Sequence, residues 1–481
     1  MHTEDLKQPS SLRVFFATEM WERYGFYVVQ TLLALYLALH FKWPDKQVYS
    51  LVASFTALTY LSPIMGGWVA DQLLGQKNSI LAGAVFLFFS YATLALSTSE
   101  YNLVVALACI ALGTGFLKPN ISSLLGNEYA ENSPQRESGF TIFYMGITTG
   151  IILGTTLPSL INKHLGWSAS FASAAVGMII AFTVFFFGVR KYQIKDYNHF
   201  EYRHSKIVKA FFITMAFWIF SFFVLMQPHF ADAAFLIASV ISLIYLSVAI
   251  KRESPAQARQ TIVIGLLCII SVLFWAFYFQ MFLSLTLFIS RVVQPQLFGI
   301  AFPPPYYVSI QSLGMLLFGY LLSRSKPTLN LAERGIRTGN KFMLAIIFMF
   351  MAYALIAYVC NHNLTEGLLS PLLFIPAYLL ISIAELLLSP VGLSAITMLA
   401  SRRKVSTMMG IFFVSLGVGA FLSGKLAEIT SVDPDQLSIV ELKVHYANTF
   451  LVLFLILFGV TIVCALLNFV IKYLLRYELK A

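Results

Sequence analysis

Glu19, Glu22 and Arg23 lie inside the first long apolar stretch, in the run Ala17-Thr18-Glu19-Met20-Trp21-Glu22-Arg23-Tyr24-Gly25-Phe26-Tyr27. At spacings i, i+3 and i+4 they share one helix face. Two further charges, Lys118 and Glu385, fall well inside later apolar stretches. At roughly 3 kcal/mol for each unpaired charge at a helix centre, the five together cost on the order of 15 kcal/mol. That is comparable to the net stability of a whole protein, so they must pair or face water. Three carboxylates against two cations leave one carboxylate without a fixed cation. Such a group is suited to take up and release a proton. Ionisable residues inside membrane helices mark transport paths by default; a buried ion-pair set that only fixes helix register is the competing reading.

The surroundings of the two outlying charges support a cavity lining. Lys118 sits in Gly113-Thr114-Gly115-Phe116-Leu117-Lys118-Pro119-Asn120-Ile121-Ser122. Pro119 and the glycines weaken the helix there, so backbone and side chain can both face a polar interior. Glu385 opens the block Glu385-Leu386-Leu387-Leu388-Ser389-Pro390-Val391-Gly392 in the second half of the chain. A zwitterionic solute would place its carboxylate on Arg23 and Lys118 and its ammonium on Glu385.

Composition dictates the elements that hold these residues. The 481 residues are 58% hydrophobic, 15% aromatic and 11% charged, against roughly 25% charged in a soluble domain. Apolar runs of about 20 residues recur along the chain, which predicts an all-α polytopic membrane protein. Period-2 strands are absent, which argues against a β-barrel. Fourteen spans are expected. The net charge of +10 is a topology signal rather than a nucleic-acid signal, because most Lys and Arg fall in alternate loops. That bias places both termini in the cytoplasm. Basic stretches at 190–209 and 251–260 flank two spans with few internal charges. Setting that pair aside leaves six spans before and six after, the plan of the major facilitator fold. The expected organisation is a six-helix bundle at 1–190, basic linkers with an accessory hairpin at 191–260, and a second six-helix bundle at 261–481. The loop after the second span, Gly66-Gly67-Trp68-Val69-Ala70-Asp71-Gln72-Leu73-Leu74-Gly75, resembles the gating loop of that fold. Asp71 there is expected to meet a basic residue or a helix N-terminus. Cys109, Cys268, Cys360 and Cys464 have neither metal-ligand nor redox spacing, so no metal and no cofactor is expected. No Ser/His, Cys/His or HExxH set falls inside the spans, which argues against an enzyme.

The combination resembles the proton-coupled oligopeptide transporter family, of the bacterial di- and tripeptide permease type. Its first-span ExxER motif is matched by Glu19, Glu22 and Arg23. Its fourth-span pattern ends at Lys118-Pro119-Asn120-Ile121-Ser122, and its fifth span opens on Phe140-Thr141-Ile142-Phe143-Tyr144. The tenth-span block runs from Glu385 through Thr397. The resemblance implies import of di- and tripeptides with protons, as a monomer in the bacterial inner membrane. It implies that Glu19, Glu22, Arg23 and Lys118 serve proton coupling. Substrate binding would fall to Arg23, Tyr27, Tyr60, Lys118, Thr148, Gln280, Gln311, Glu385, Phe412 and Ser415. Gly66, Gly67, Asp71 and Gly75 would form the gating loop.

Departures from the family pattern concern donors. Phe279 takes the place of the seventh-span acid. Phe26 replaces the first residue of the usual Tyr-Tyr pair, and Thr148 a fifth-span Asn. Ser309-Ile310-Gln311-Ser312 replaces an SINP pattern, and Phe412 a Trp. A site built to hydrogen-bond its substrate discriminates strongly, so altered donors imply altered selectivity. Loss of the seventh-span acid puts more of the coupling on Glu19 and Glu22. Another small amine-carboxylate solute, or a membrane sensor on a transporter fold, are the alternative readings.

Overall fold

The structure, a computed structural model, describes residues 8–129, 134–196, 204–322, 331–401 and 404–480. It is helical nearly throughout. Among the described residues the sheet is confined to an antiparallel pair, β1 (Gln296–Leu297) and β2 (Ile300–Ala301), with Gln296 opposite Ala301.

Packing divides the chain into two compact units. The first comprises Met1–Leu33 and Leu58–Pro228; the second comprises Ala34–Ala57 and His229–Ala481. In chain order the first half carries α1 (Leu12–Leu35), α2 (Asp45–Val69), α3 (Gln76–Ala95), α4 (Glu100–Gly126), α5 (Pro134–Lys191) and α6 (His204–Met226). Then follow α7 (Pro228–Arg252), α8 (Pro255–Tyr278), α9 (Ser284–Val292) and α10 (Pro305–Leu322). The chain ends with α11 (Leu331–His362), α12 (Ile375–Leu399), α13 (Val405–Ala427) and α14 (Ile439–Lys480). The outer part of α2, from Asp45 to Ala57, packs with the second unit. Arg291 on α9 holds both carboxylate oxygens of Asp45, at 2.7 and 2.8 Å, and donates to the Tyr446 hydroxyl at 2.8 Å. Asp45 also accepts from the Val432 backbone N–H at 3.1 Å, and Tyr49 lies 3.3 Å from Thr430.

Eleven helical stretches among the described residues are long and apolar enough to cross a membrane. They differ from the expected fourteen segments at three places. The first is α1, which carries Arg13, Glu19, Glu22 and Arg23. The second is α5, which runs through 58 residues with a break at Gly166, φ +82°. Gly166 is non-helical and separates two helical segments within α5, and glycine adopts its positive φ at no steric cost. The third is α10, which stops at the edge of the described residues. Large apolar side chains stand exposed along α6 and α7, Phe211, Phe212, Leu236 and Ile241 among them. Only a lipid environment makes that surface favourable.

In the first unit α1 lies in a groove of α5 made by glycines four residues apart. A β-carbon at Gly146 would meet the Phe16 carbonyl oxygen at 2.9 Å, at Gly150 the Met20 oxygen at 2.3 Å, and at Gly154 the Tyr24 oxygen at 2.6 Å. Small residues at this spacing let two helices touch backbone to backbone, which is how helices associate where lipid supplies no hydrophobic drive. This stripe fixes the height and rotation of the Glu19–Arg23 turn. The same device brings α2 to α4, where a β-carbon on Gly66 would stand 2.0 Å from the Gly115 oxygen.

Two expectations about local structure are corrected. Residues 66–75 are not a loop: α2 continues to Val69 and passes into a π-turn over Ala70–Leu74, closed by the Gly75 N–H donating to the Ala70 carbonyl at 2.9 Å. The chain reverses at Gly75 alone, φ +79°. Asp71 is exposed on the π-turn and forms no ion pair among the described residues. The start of α3 is capped instead by Asp196, which accepts from the Lys77 backbone N–H at 2.9 Å and lies 3.8 Å from Lys77 Nζ. The seventh span, expected as one helix, breaks into a 3-10 turn at Phe279–Phe282 before α9. Side chains satisfy the break: Gln280 Nε2 donates to the carbonyls of Ala276 and Ser423, at 3.2 and 2.7 Å. Its Oε1 accepts from Ser284 Oγ at 2.6 Å. Insertion of a side chain into the ladder is an ordinary cause of such a kink.

Gly150→Ala forces a methyl against the Met20 carbonyl, and overpacking of this kind costs about 1–3 kcal/mol. The melting temperature of the detergent-solubilised protein is expected to fall by several degrees. Gly459→Ala on α14, where nothing lies within 4 Å, is expected to leave it equal or higher, since alanine favours a helix by about 1 kcal/mol over glycine.

Candidate functional site

The first unit assembles four of the five charges. Glu19, Glu22 and Arg23 are 3%, 0% and 4% exposed, so none is solvated from outside. Helical spacing places both carboxylates beside one guanidinium nitrogen: Arg23 Nε lies 3.2 Å from Glu19 Oε1 and donates to Glu22 Oε2. Three further atoms of the cluster are buried and unpartnered, namely Glu19 Oε2, Glu22 Oε1 and Arg23 Nη2. A guanidinium presents its donors in a rigid fork matched to carboxylates. Here the resident acids take its Nε, which leaves the buried Nη2 donors for another anion. The guanidinium also lies 5.1 Å from the Phe26 ring centroid, a contact the sequence pattern gave no reason to expect.

Lys118, on α4, is half-buried. Its charged neighbours are Arg23, Glu22 and Glu19, yet it forms no ion pair with them among the described residues. Its ammonium instead sits 5.0 Å from the centroid of the Tyr60 ring. A cation held on an aromatic face keeps its donors for a ligand while being partly stabilised. Asn120 secures the helix beside Pro119 by donating to the Phe116 carbonyl at 2.7 Å and, across to α2, to the Gly66 carbonyl at 3.4 Å. Tyr27 and Tyr60 are half-buried on the helices that carry Arg23 and face Lys118. Thr148 turns its hydroxyl back to the Tyr144 carbonyl at 3.2 Å.

In the second unit Glu385 is the fifth charge. Its Oε2 accepts from Gln311 Nε2 on α10 at 2.6 Å and from the Tyr278 hydroxyl on α8 at 2.8 Å. Two neutral donors on one oxygen fix the carboxylate without neutralising it, and leave its other oxygen to a cationic partner. Tyr278 was not among the residues expected from the sequence. Its only signal was adjacency to Phe279, and the partner it serves lies 107 residues away. Phe279 itself is buried and stacks on Trp275 at 5.3 Å, so an aromatic cluster fills the place of the seventh-span acid.

The other candidates of this unit have contacts of their own. Gln280 is fully buried and its amide is engaged at the break after α8. Phe412 is buried with its Cζ 2.5 Å from where a β-carbon on Gly392 would stand. Ser415 donates to the Phe412 carbonyl at 2.6 Å and lies 3.2 Å from Ser271 Oγ. Among the described residues no group of His, Cys, Asp and Glu is arranged to hold a metal ion.

The chain is similar to known proteins over most of its length. A model of the POT family matches residues 77–441. The dipeptide and tripeptide permease A of Edwardsiella piscicida is 30% identical over 430 residues, covering 89% of this chain and 87% of the relative. The permease of the same description from Salmonella typhimurium is 29% identical over 445 residues, covering 89% and 86%. A structure described as giving insight into substrate recognition in proton dependent oligopeptide transporters superposes with a TM-score of 0.81 at 25% identity, covering 96% of this chain and 99% of the other. A peptide transporter crystallised in complex with alafosfalin gives a TM-score of 0.80 at 25% identity, covering 97% and 96%. The architecture is therefore the all-α, multi-pass major facilitator type, and the chain belongs to the POT family.

Proposed function

We propose that this chain is a proton-coupled symporter that imports di- and tripeptides by alternating access. The observation that carries the proposal is the shared guanidinium: Arg23 is the only cation in contact with Glu19 and Glu22 among the described residues, and its Nη2 is free. The permeases of similar sequence are named for dipeptides and tripeptides, which is the solute class this charge pattern suits.

The coupling follows from competition for one cation. A peptide carboxylate that engages Arg23 Nη2 and Lys118 draws positive charge away from the two resident acids. A buried carboxylate without a cation is costly, and taking a proton relieves the cost. Peptide binding and protonation thereby favour each other, and linkage makes the effect reciprocal. We assign the ammonium end of the peptide to Glu385, with Gln311 and Tyr278 holding that carboxylate in place. Tyr27 and Tyr60 supply amphipathic surface for varied side chains. Gln280, Phe412 and Ser415 shape the second unit from within. We further propose fourteen crossings, arranged as two six-helix bundles at 1–190 and 261–481 with an accessory hairpin in 191–260. Both termini are assigned to the cytoplasmic side of a bacterial inner membrane by the distribution of Lys and Arg.

Uptake into proteoliposomes under an imposed pH gradient, with a panel of di- and tripeptide competitors, tests the proposal; absence of gradient-driven, peptide-competed uptake rejects it. Glu22→Gln is expected to lower gradient-driven accumulation at least about tenfold, a loss of roughly 1.4 kcal/mol of coupling, while counterflow exchange stays measurable. Full accumulation by that variant removes Glu22 from the coupling. Glu385→Ala is expected to weaken peptides with a free amino terminus about thirtyfold or more, as truncation of one member of a desolvated charge pair does. Amino-blocked peptides should lose less than about threefold, and an equal loss for both classes rejects the ammonium assignment.

A further inference from the structure

Tyr91, on α3, is fully buried at 0% exposure, and its hydroxyl has no hydrogen-bond partner. A buried polar group left unpaired costs about 1–3 kcal/mol, so its retention asks for a reason. The ring is seated by Gly25. A β-carbon there would stand 2.8 Å from Tyr91 Cε2 and 3.4 Å from its hydroxyl oxygen, so any larger residue would push the phenol off α1. Gly25 follows Glu22 by three residues and shares its helix face. The charged neighbours of the phenol are Glu22 and Arg23, and Glu22 Oε1 is itself buried and unpartnered. Two orphan oxygens, one from each helix, thus occupy the same layer of the first unit.

The chemistry of the neighbours suits the phenol, the group of this layer supplied by α3. The groups that face this layer are Glu19, Arg23 and Tyr27 on α1, Tyr91 on α3, Lys118 on α4 and Tyr144 on α5. An ionised carboxylate only accepts hydrogen bonds, whereas a protonated one also needs an acceptor for its O–H. Arg23 and Lys118 can serve the first state and not the second. Tyr144 is exposed and neighbours Glu19. Thr18, one turn before Glu22, also has a buried unpaired hydroxyl. A helical threonine can turn back to a carbonyl of its own helix, which the phenol cannot do.

We propose that Tyr91 is a positioning residue for the proton step, its hydroxyl bonding Glu22 in both protonation states once Arg23 is engaged by a substrate carboxylate. The phenol donates to the ionised carboxylate and accepts from the protonated carboxyl, and remains neutral itself. This inference rests on Glu22 as proton carrier, and Tyr91 adds the group that keeps the protonated side chain oriented.

Tyr91→Phe tests it with two readouts. Removing an unpaired buried hydroxyl leaves the packing intact, so the variant should fold. Hydrogen bonds to a charged group are the stronger, and loss of the phenol therefore costs the ionised carboxylate more. The alkaline limb of gradient-driven uptake is expected to move to higher pH by roughly half to one unit, the size of one hydrogen bond. In pH-difference infrared spectra of the purified protein, the protonated-carboxyl band that Glu22→Gln removes is expected to shift in Tyr91→Phe. A wild-type band position together with a wild-type uptake profile overturns the inference. A band unaffected by Glu22→Gln overturns it as well. If the unmodified protein shows no gradient-driven uptake, the symport reading fails, and the infrared band alone decides whether Tyr91 bonds Glu22.

Discussion

One guanidinium shared by two carboxylates, in surroundings that exclude water, is the interaction on which the rest depends. In such a place the electrostatic terms are several times larger than at a surface, so any change in what Arg23 touches is felt by both acids at once. A lysine in its position would offer a point charge with no spare fork. The arrangement also carries a liability, because an incomplete charge set inside an apolar bundle is destabilising. The unpaired atoms Glu19 Oε2, Glu22 Oε1 and Arg23 Nη2 are strain that a purely structural ion pair would have no reason to keep.

That turn stays in register because helix contact in its vicinity is made by backbone rather than by side chains. The stripe at Gly146, Gly150 and Gly154 meets α1 at carbonyls spaced one turn apart. Contacts of this kind leave little freedom of rotation, since there are no long side chains to yield. Rigid placement of the charges and spare bonding capacity on their outer atoms are both required of a coupling site. Glycine contact provides the first without occupying the second. In the second unit the same purpose is met differently: Glu385 is held by hydrogen bonds from Gln311 and Tyr278, which fix one oxygen and spare the other.

What could be read from the sequence is what local spacing determines. The Glu19–Glu22–Arg23 contact follows from helical periodicity, and the abundance of apolar runs fixes an all-helical membrane architecture. What could not be read are partners supplied from far along the chain. Tyr278 reaches Glu385 across 107 residues. Asp196 caps α3 in place of the nearby Asp71, from 119 residues beyond Lys77. Gln280 entered the list of pocket residues through the family resemblance; its amide also holds a helix break whose existence no periodicity signals. Residues 66–75 read as a loop because they join two apolar runs and resemble the gating loop of the fold; in the structure Gly66 lies within α2 in close helix contact, and the chain turns at Gly75.

The ion pair of Asp45 with Arg291 bears on how the polypeptide is made. Its members are 246 residues apart, and Asp45 meets Val432 across 387. The ribosome therefore delivers the outer part of α2 long before anything it packs against exists. During synthesis Asp45 must wait in water or at the membrane interface, since an unpaired carboxylate is expensive deeper in. The second unit cannot close until the last helix has emerged. Translation that stops short of Tyr446 would leave Arg291 without the Tyr446 hydroxyl that helps to hold it against Asp45, so insertion errors in the final helix should be felt at the second.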